Sequence, residues 1–256
     1  GNFLLITHAS QNTQFNASTF LNSNIEIDAN TNLTRVGNDY NIDMVRGIHE
    51  DFSKVNIQGI TDQQHAAEYT VGNGSTDCFA NDNIAEALYV LTVNTQDRSG
   101  GTGARYIKVT YIDSNYDEQT LTKQLGWVAG SQPLGVNGFA VSRVEVSTTG
   151  SSLKNLGVIT ITDILSAKIY ATIDPEANVS HTANYLIPRN KHLILSDVSI
   201  SAVGFPATIR LYEYDFATSK IRGSIGDFRL STNYNQIVYK LNGKIDEKKM
   251  VLVNII

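Results

Sequence analysis

A period-two alternation of apolar and polar residues is the feature that most limits the folds open to this chain. The segment Tyr106–Ile112 alternates around Lys108 and Thr110, as a strand with one buried face does, and Ala87–Val93 is rich in β-branched and aromatic residues. No segment keeps a helical period over several turns, and parallel α/β folds need crossover helices. We therefore predict an all-β fold.

Turn signals separate the predicted strands and favour a sandwich. Clusters of Gly, Ser, Thr and Asp lie at 97–103 and 149–152, and Asn242-Gly243 is a strong short-range turn signal between apolar runs. Strands spaced in this way are typical of an antiparallel β-sandwich or a jelly-roll-like fold. Only Thr61–Tyr69 and Asp82–Ala87 are predicted to form a turn or two of helix. The further predicted strands are Phe139–Val146, Gly157–Thr162, Ala167–Ile173, His192–Ile200, Ala207–Tyr214, Gln236–Leu241 and Met250–Ile255.

Composition changes along the chain and suggests its organisation. Residues 1–80 are rich in Asn and alternate only weakly, so we predict an irregular N-terminal region there, either short strands or an extended arm that orders against a neighbouring subunit. A β-sandwich region is predicted at 81–173 and a C-terminal β region at 174–256. These two regions either stand apart or form one continuous jelly-roll-like domain over 81–256.

Charge and hydrophobicity argue against several classes of partner. The 256 residues carry a formal net charge of −5, and the one dense basic run, Lys244–Lys249, is interrupted by two acidic residues. Nucleic-acid binders need clustered Lys and Arg, so no nucleic-acid partner is expected. No apolar run approaches the roughly 20 residues of a membrane-spanning helix, and the first residues lack the basic start of a secretory signal. We expect no membrane contact.

Cysteine and histidine provide no metal-binding or catalytic motif. Cys78 is the one cysteine, which excludes an internal disulfide and a cysteine-based zinc site, and we expect it to be a small packed residue. The five histidines form no His-x-His or His-x-x-x-His pair. Neighbours within His49-Glu50-Asp51 would point to opposite faces of a strand. We predict no catalytic residues, no metal ligands and no cofactor.

The segment Asp113–Asp117 spaces oxygen ligands at positions 1, 3 and 5, as a calcium loop does. Glu118 stands where an EF-hand needs Gly, and Gln124 stands where it needs Glu. Asn and Asp also suit turns because their side chains bond to nearby backbone. We therefore predict a β-turn here. The alternative is a metal site, in which Asp113, Asn115 and Asp117 would be the ligands.

A second segment, Gly100–Ala104, is rich in glycine but is not a phosphate-binding loop. It lacks the Lys-Ser/Thr of a P-loop, and a predicted strand follows it where a nucleotide-binding fold has a helix. No Gly-x-Ser-x-Gly nucleophile elbow occurs in the chain. We predict a flexible hairpin or a close-packed turn at this position.

Several turns occur in a familiar order after residue 80. They are Gly101-Thr102-Gly103-Ala104-Arg105, Asp113-Ser114-Asn115-Tyr116-Asp117-Glu118, and Gly150-Ser151 followed by Asn155-Leu156-Gly157-Val158-Ile159. The pieces Leu186–Lys191 and Lys244–Lys249 complete the pattern. In this order the chain resembles β-rich virion structural proteins, of the capsid-decoration or spike type, from marine tailed bacteriophages and large algal DNA viruses.

The resemblance implies a non-enzymatic virion protein: a capsid-decorating, head-fibre or vertex-spike subunit located in the virus particle. Its partners would be its own copies, in a homo-oligomer expected to be a trimer, and other capsid proteins. A second hypothesis is a receptor- or carbohydrate-binding fibre module that binds a host-surface glycan through an exposed cluster among Tyr212, Tyr214, Tyr234 and Trp127. A third is a glycan depolymerase, which would need two inward carboxylates about 5–10 Å apart.

Overall fold

In the computed structural model, the chain is described at residues 25–28, 33–36, 69–70, 79–80, 84–200, 207–216, 218, 220–230 and 237–255. Every pairing between strands in these ranges is antiparallel, and none of these residues is helical, so the all-β prediction is confirmed. The chain divides into two compact units, Gly1–Asn56 and Ile57–Ile256. In the first unit β1 (Ile25–Asp28) pairs with β2 (Leu33–Val36), where the sequence alternates weakly.

The larger sheet of the second unit has six strands and curls into a half-barrel. Its strand order is β6-β5-β7-β4-β8-β9. Its inner face holds the largest core cluster, which includes fully buried Ile107, Val109 and Tyr170. The strands are β4 (Glu86–Thr92), β5 (Ala104–Asp113), β6 (Glu118–Gln124), β7 (Gly130–Thr149), β8 (Ile159–Thr162) and β9 (Ile169–Ile173).

The curl of this sheet depends on β7, which is 20 residues long and pairs with a different strand along each half. Its first half pairs with β4, and its second half pairs with β5. Gly138 is the residue at which the two ladders meet, opposite Glu86 in one and Asp113 in the other. A Cβ at Gly138 would lie 2.9 Å from Leu88 Cδ1 and 3.2 Å from the Ile112 carbonyl oxygen, so a side chain here would make its neighbours shift.

The C-terminal strands form a second sheet and a separate two-stranded ribbon. The sheet has the order β10-β15-β12-β13, and β3 also pairs with β15. The ribbon pairs β11 with β14. The strands of this part are β3 (Tyr69–Thr70), β10 (Asn184–Leu186), β11 (Leu193–Ile200), β12 (Ala207–Asp215), β13 (Lys220–Leu230), β14 (Ile237–Ile245) and β15 (Lys249–Ile255).

An aromatic cluster joins the half-barrel to the second sheet. Phe216, which is fully buried at the end of β12, lies 5.4 Å from Phe79, 6.0 Å from Phe139 and 5.1 Å from Tyr214 between ring centroids. Tyr116 stacks on Phe139 at 4.4 Å. Edge-to-face and offset contacts of this kind add to the stabilisation from area burial. The two sheets therefore share this cluster, while the inner face of the half-barrel holds a separate one.

Two local predictions are wrong. Asp82–Ala87 was expected to be helical, but Glu86 and Ala87 pair with β7 as the start of β4. Asn242-Gly243 was expected to form a turn, but both residues lie inside β14, and Gly243 pairs with Leu195 beside an irregularity in the register. In both cases pairing with a neighbouring strand, by Glu86 and Ala87 and by Gly243, outweighs the local preference. Of the other helical prediction, Thr61–Tyr69, only Tyr69 is described, and it belongs to β3.

Four described strands after residue 56 have no counterpart in the sequence prediction: the short strands β3 and β10, and the longer edge strands β6 and β13. β6 is polar and exposed along most of its length, with only Leu121 packing against the core of the half-barrel, and it forms one edge of that sheet. β13 contains Gly223 and Gly226 and forms an edge of the second sheet. Because an edge strand is less buried, its alternation is weaker and its sequence resembles that of a loop.

We expect Phe216→Ala to lower the free energy of unfolding by about 3–5 kcal/mol, because it opens a cavity where four other aromatic rings meet. Ile221→Ala is a matched control, since Ile221 is exposed on β13, and its effect should stay within about 0.5 kcal/mol. Urea unfolding followed by circular dichroism measures both. A loss below about 1 kcal/mol in the Phe216 variant would contradict a joining role for the cluster.

Stability should also fall at alkaline pH through Tyr185. Burial, and to a smaller extent the negative charge of Glu118, raises the pKa of Tyr185 to about 12, whereas an unfolded tyrosine titrates near 10. Because the folded pKa is the higher one, this contribution to stability is complete below about pH 10 and is lost as the pH rises towards 12. Urea unfolding across this range should show a shallower decline for Tyr185→Phe than for wild type. Identical declines would contradict the assignment.

Candidate functional site

Several loops meet at the end of the half-barrel where β4 ends and β7 begins, and we call this the loop end. The Gly126 carbonyl accepts a hydrogen bond from the Ser99 N–H at 3.2 Å, which joins loop 93–103 to loop 125–129. The Gly103 carbonyl accepts one from the Gly150 N–H at 2.7 Å, which joins the first loop to loop 150–158. The loops therefore form one connected surface.

Asp97 links the loops of this surface through hydrogen bonds to its buried carboxylate. Its side chain is fully buried, and its carboxylate accepts hydrogen bonds from the backbone N–H groups of Ala104 at 2.7 Å, Leu156 at 3.0 Å and Gly157 at 2.7 Å. Bonds from backbone amides to a buried charge are among the stronger hydrogen bonds in proteins. Asp97 thus fixes two loops that lie about 60 residues apart in sequence.

The glycine-rich segment is close-packed, which is one of the two forms predicted for it. A Cβ at Gly103 would lie 2.1 Å from Asp97 Oδ1, and a Cβ at Gly101 would lie 2.0 Å from the Gln96 carbonyl oxygen. A Cβ at Gly150 would lie 2.4 Å from the Gly101 oxygen. These glycines are needed because backbone passes close to backbone around the Asp97 carboxylate.

A pair of asparagines braces the same end. The Asn155 N–H donates to Asn178 Oδ1 at 3.0 Å, and the Asn178 N–H donates to Asn155 Oδ1 at 2.9 Å. The Asn155 Nδ2 group also donates to the carbonyl oxygens of Gly157 and Asp174, each at 2.8 Å. Because Asn155 is fully buried, these bonds satisfy its polar atoms where water has no access.

Large apolar side chains are exposed on this braced end. Trp127 is 75% exposed, although the loop that carries it is fixed. Arg98 donates to the Trp127 carbonyl at 3.1 Å, and the Gly126 N–H donates to Gln132 Oε1 at 2.7 Å. A Cβ on Gly100 would approach the Trp127 ring to 3.1 Å, so the ring edge rests against this glycine. The set that we call the platform consists of Val93, Trp127, Val128 and Leu153.

The opposite end of the half-barrel has a second exposed apolar set. Asp163 organises the hairpin between β8 and β9, because its Oδ1 accepts from the N–H groups of Ala167 at 2.7 Å and Lys168 at 2.9 Å. The hairpin presents Ile164 and Leu165, the latter 81% exposed. The set that we call the tip consists of Ile84, Ile164 and Leu165.

A polar cluster supports the tip. Glu86 at the start of β4 forms an ion pair with Lys168, and its Oε2 accepts a hydrogen bond from the Tyr170 hydroxyl at 2.6 Å. These bonds pass beyond the short strand β8 and connect β4 to β9. The cluster therefore fixes the hairpin relative to the sheet.

The prediction of a turn at Asp113–Asp117 is confirmed. The Asp113 N–H donates to the Asp117 carbonyl at 2.9 Å, and Asp113 Oδ1 accepts from the N–H groups of Asn115 at 2.8 Å and Asp117 at 3.0 Å. Asp117 Oδ1 accepts from Arg189 Nε at 2.6 Å. The Asp113 and Asp117 carboxylates are thus bonded within the turn and to Arg189.

The predicted cluster of exposed aromatic residues is not assembled. Tyr212 and Tyr214 are half-buried against the aromatic cluster between the sheets, whereas Trp127 is exposed at the loop end. Tyr234 lies outside the described residues, as do Cys78 and the cluster His49-Glu50-Asp51. Of the four candidates for a glycan-stacking surface, the structure therefore shows one exposed aromatic side chain.

Sequence reasoning did not single out Asp97, and it missed the tip. The signal for Asp97 is its place in a glycine-rich loop, because backbone packed without side chains needs buried acceptors for its N–H groups. The signal for the tip is Ile164-Leu165, two adjacent apolar residues in a segment that should be a polar turn. Both signals concern residues whose type does not fit their local context.

The described residues contain neither a metal-binding cluster nor a membrane-spanning helix. No group of three or more His, Cys, Asp or Glu side chains in the described part of the chain could hold a metal ion. None of the described residues belongs to a helix long and apolar enough to cross a membrane.

We expect Gly103→Ala to lower the free energy of unfolding by about 2–4 kcal/mol, because the new Cβ would displace the Asp97 carboxylate from its backbone donors. Gly223→Ala on β13 is the matched control, since its Cβ would meet no atom within 4 Å, and it should change stability by at most about 0.5 kcal/mol. Urea unfolding compares the two variants. Equal effects would show that close packing around Asp97 is unimportant.

No model of a known protein family matches this chain, and no curated protein matches it in sequence. A proposal of function therefore rests on the residues and on the geometry described above.

Proposed function

We propose that this chain is a non-enzymatic structural component of a virus particle, a capsid-decorating, head-fibre or vertex-spike subunit that acts through self-assembly and contacts with capsid proteins. The observation that carries the proposal is the exposure of large apolar side chains on two braced ends of a rigid β-scaffold. Apolar residues held outward in this way mark surfaces that contact other proteins. The order of turn motifs after residue 80 resembles that of virion proteins, and this resemblance supports the location of the protein in a virus particle.

The use of polar groups in the half-barrel supports an architectural role. The buried carboxylates of Asp97 and Asp163 accept backbone N–H groups, and Asn155 and Asn178 bond to each other's backbone. Each of these groups stabilises a loop or a turn. A subunit of a particle needs a fixed shape and repeated contacts, which such bracing provides.

Carbohydrate binding at the loop end is the second candidate function. The supporting observation is Trp127, whose exposed ring offers a flat apolar face beside the guanidinium group of Arg98. A sugar ring could stack on such a face while its hydroxyl groups bond to the neighbouring polar groups. Tyr212 and Tyr214, which were expected to join Trp127, pack against the core instead, so Trp127 is the one exposed ring among the described candidates.

Cryo-electron microscopy of the particle that carries this gene tests the first proposal. We expect the chain in symmetric copies on or between capsomers, with the loop end or the hairpin between β8 and β9 at a protein contact.

A glycan array probed with purified protein tests the second proposal, with Trp127→Ala as the control variant. Absence from the particle together with Trp127-dependent glycan binding would replace the first proposal by the second.

A further inference from the structure

One stretch of the chain, residues 178–187, bonds to both sheets of the second unit, and we call it the crossing segment. Its first part lies along β7, where the Ser180 N–H donates to the Val144 carbonyl at 2.8 Å. The Val146 N–H donates to the Asn178 carbonyl, also at 2.8 Å. Its last part contains β10, which pairs with β15 of the second sheet. The residues between these attachments therefore lie at the interface between the half-barrel and the second sheet.

The crossing segment directs one face of β10 towards the half-barrel. Leu186 on that face packs in the core cluster that joins the two sheets. Asn184 lies two residues earlier in the same strand, so its side chain points to the same face. The pairing with β15 continues at Ala183, whose carbonyl accepts from the Val253 N–H at 3.2 Å, and this places Thr182 on that face as well.

Asn184 and Thr182 bring to this interface polar atoms that the protein does not satisfy. Asn184 is 1% exposed and Thr182 is 4% exposed. Within the described part of the chain, neither Asn184 Nδ2 nor Asn184 Oδ1 has a hydrogen-bond partner, and the same is true of Thr182 Oγ1. The residue opposite Asn184 on β15 is Leu252, whose side chain is apolar. Buried amide and hydroxyl groups in folded proteins nearly always have a partner, because leaving them unpaired is unfavourable.

Asn155 provides the comparison within the same molecule. It is also fully buried, and its Nδ2 group donates to the carbonyl oxygens of Gly157 and Asp174, each at 2.8 Å. Its Oδ1 accepts from the Asn178 N–H at 2.9 Å. Backbone groups therefore satisfy the amide of Asn155, whereas the amide of Asn184 requires a partner of another kind.

The chemistry of the unpaired atoms determines which partner fits. Asn184 Nδ2 needs an acceptor, Asn184 Oδ1 needs a donor, and the Thr182 hydroxyl both donates and accepts. A cation would satisfy only the oxygen atoms and an anion only the donors, whereas a water molecule satisfies both. Two residues of strand span roughly 6.6 Å, a distance that one water bonded to both side chains can bridge.

We propose that the interface between the half-barrel and the second sheet contains a buried water-binding site, in which water bridges the Asn184 amide and the Thr182 hydroxyl. Internal waters in proteins typically make about three hydrogen bonds to buried polar groups, and this site offers that number of unpaired atoms. The two sheets then meet through a dry aromatic contact around Phe216 and a hydrated polar contact at the crossing segment.

Crystallography of the full chain and of Asn184→Leu tests the site directly. In the wild type we expect an ordered water within about 3.2 Å of an Asn184 amide atom and of Thr182 Oγ1. Asn184→Leu keeps a similar volume but removes both amide atoms, so this water should be lost. A dry amide, an amide bonded to a protein group, or a water that persists in the variant overturns the proposal.

Urea unfolding of Thr182→Val tests the site in solution and does not depend on the Asn184 variant. Ser180→Ala is the matched comparison, because Ser180 Oγ accepts from the Val144 N–H at 2.9 Å and its loss leaves that donor unpaired. A water-bonded Thr182 hydroxyl is satisfied in the folded and unfolded states, so the urea midpoint of Thr182→Val should stay unchanged or fall less than that of Ser180→Ala.

The other two outcomes of this measurement contradict the proposal. A midpoint that rises in Thr182→Val would mean that the hydroxyl is unpaired in the folded protein. A fall as large as that of Ser180→Ala would mean that the hydroxyl bonds directly to a protein group.

Discussion

The double pairing of β7 is the constraint on which the rest of the half-barrel depends. A strand of 20 residues must bond its backbone along its whole length, and β7 does so by pairing with β4 along one half and with β5 along the other. A side chain at Gly138, where the two ladders meet, would press against Leu88 and the Ile112 carbonyl oxygen. The sheet must curl at this point, and its curl creates both the enclosed core and the two open ends.

The loops at the loop end are stabilised by hydrogen bonds to buried polar groups, whereas the rest of the half-barrel is stabilised mainly by apolar packing. Loops expose backbone N–H groups that a strand would have paired, and Asp97 accepts three of them while excluded from water. The glycines around Asp97 allow this, since a single Cβ at Gly103 would occupy the space of the carboxylate. Rigidity obtained in this way leaves the outward side chains free for contacts with other molecules.

The longer strands with a buried face could be predicted from the sequence, whereas the exposed edge strands β6 and β13 and the three-residue strand β10 could not. β5 was found because Ile107 and Val109 are fully buried on one face while Lys108 is exposed on the other. β6 pairs with β5 along its whole length, yet at an edge its residues face water and carry no alternation to detect. At Asn242-Gly243 a turn was predicted where the structure has a strand. Both residues lie inside β14, where the pairing of Gly243 with β11 outweighs a strong local turn preference.

The candidate site was harder to predict because exposure is a property of the fold and not of the residue. Tyr214 and Trp127 are both large aromatic residues, and both were candidates for an exposed surface. Tyr214 lies on a strand that faces the half-barrel, so it packs 4.6 Å from Phe79, whereas Trp127 lies in a loop whose backbone bonds hold it away from any core. Burying Trp127 would add hydrophobic stability that the folded chain leaves unused. A second copy or another partner that covered this ring would gain that stability on binding, and the bracing of the loop lowers the entropy lost in doing so.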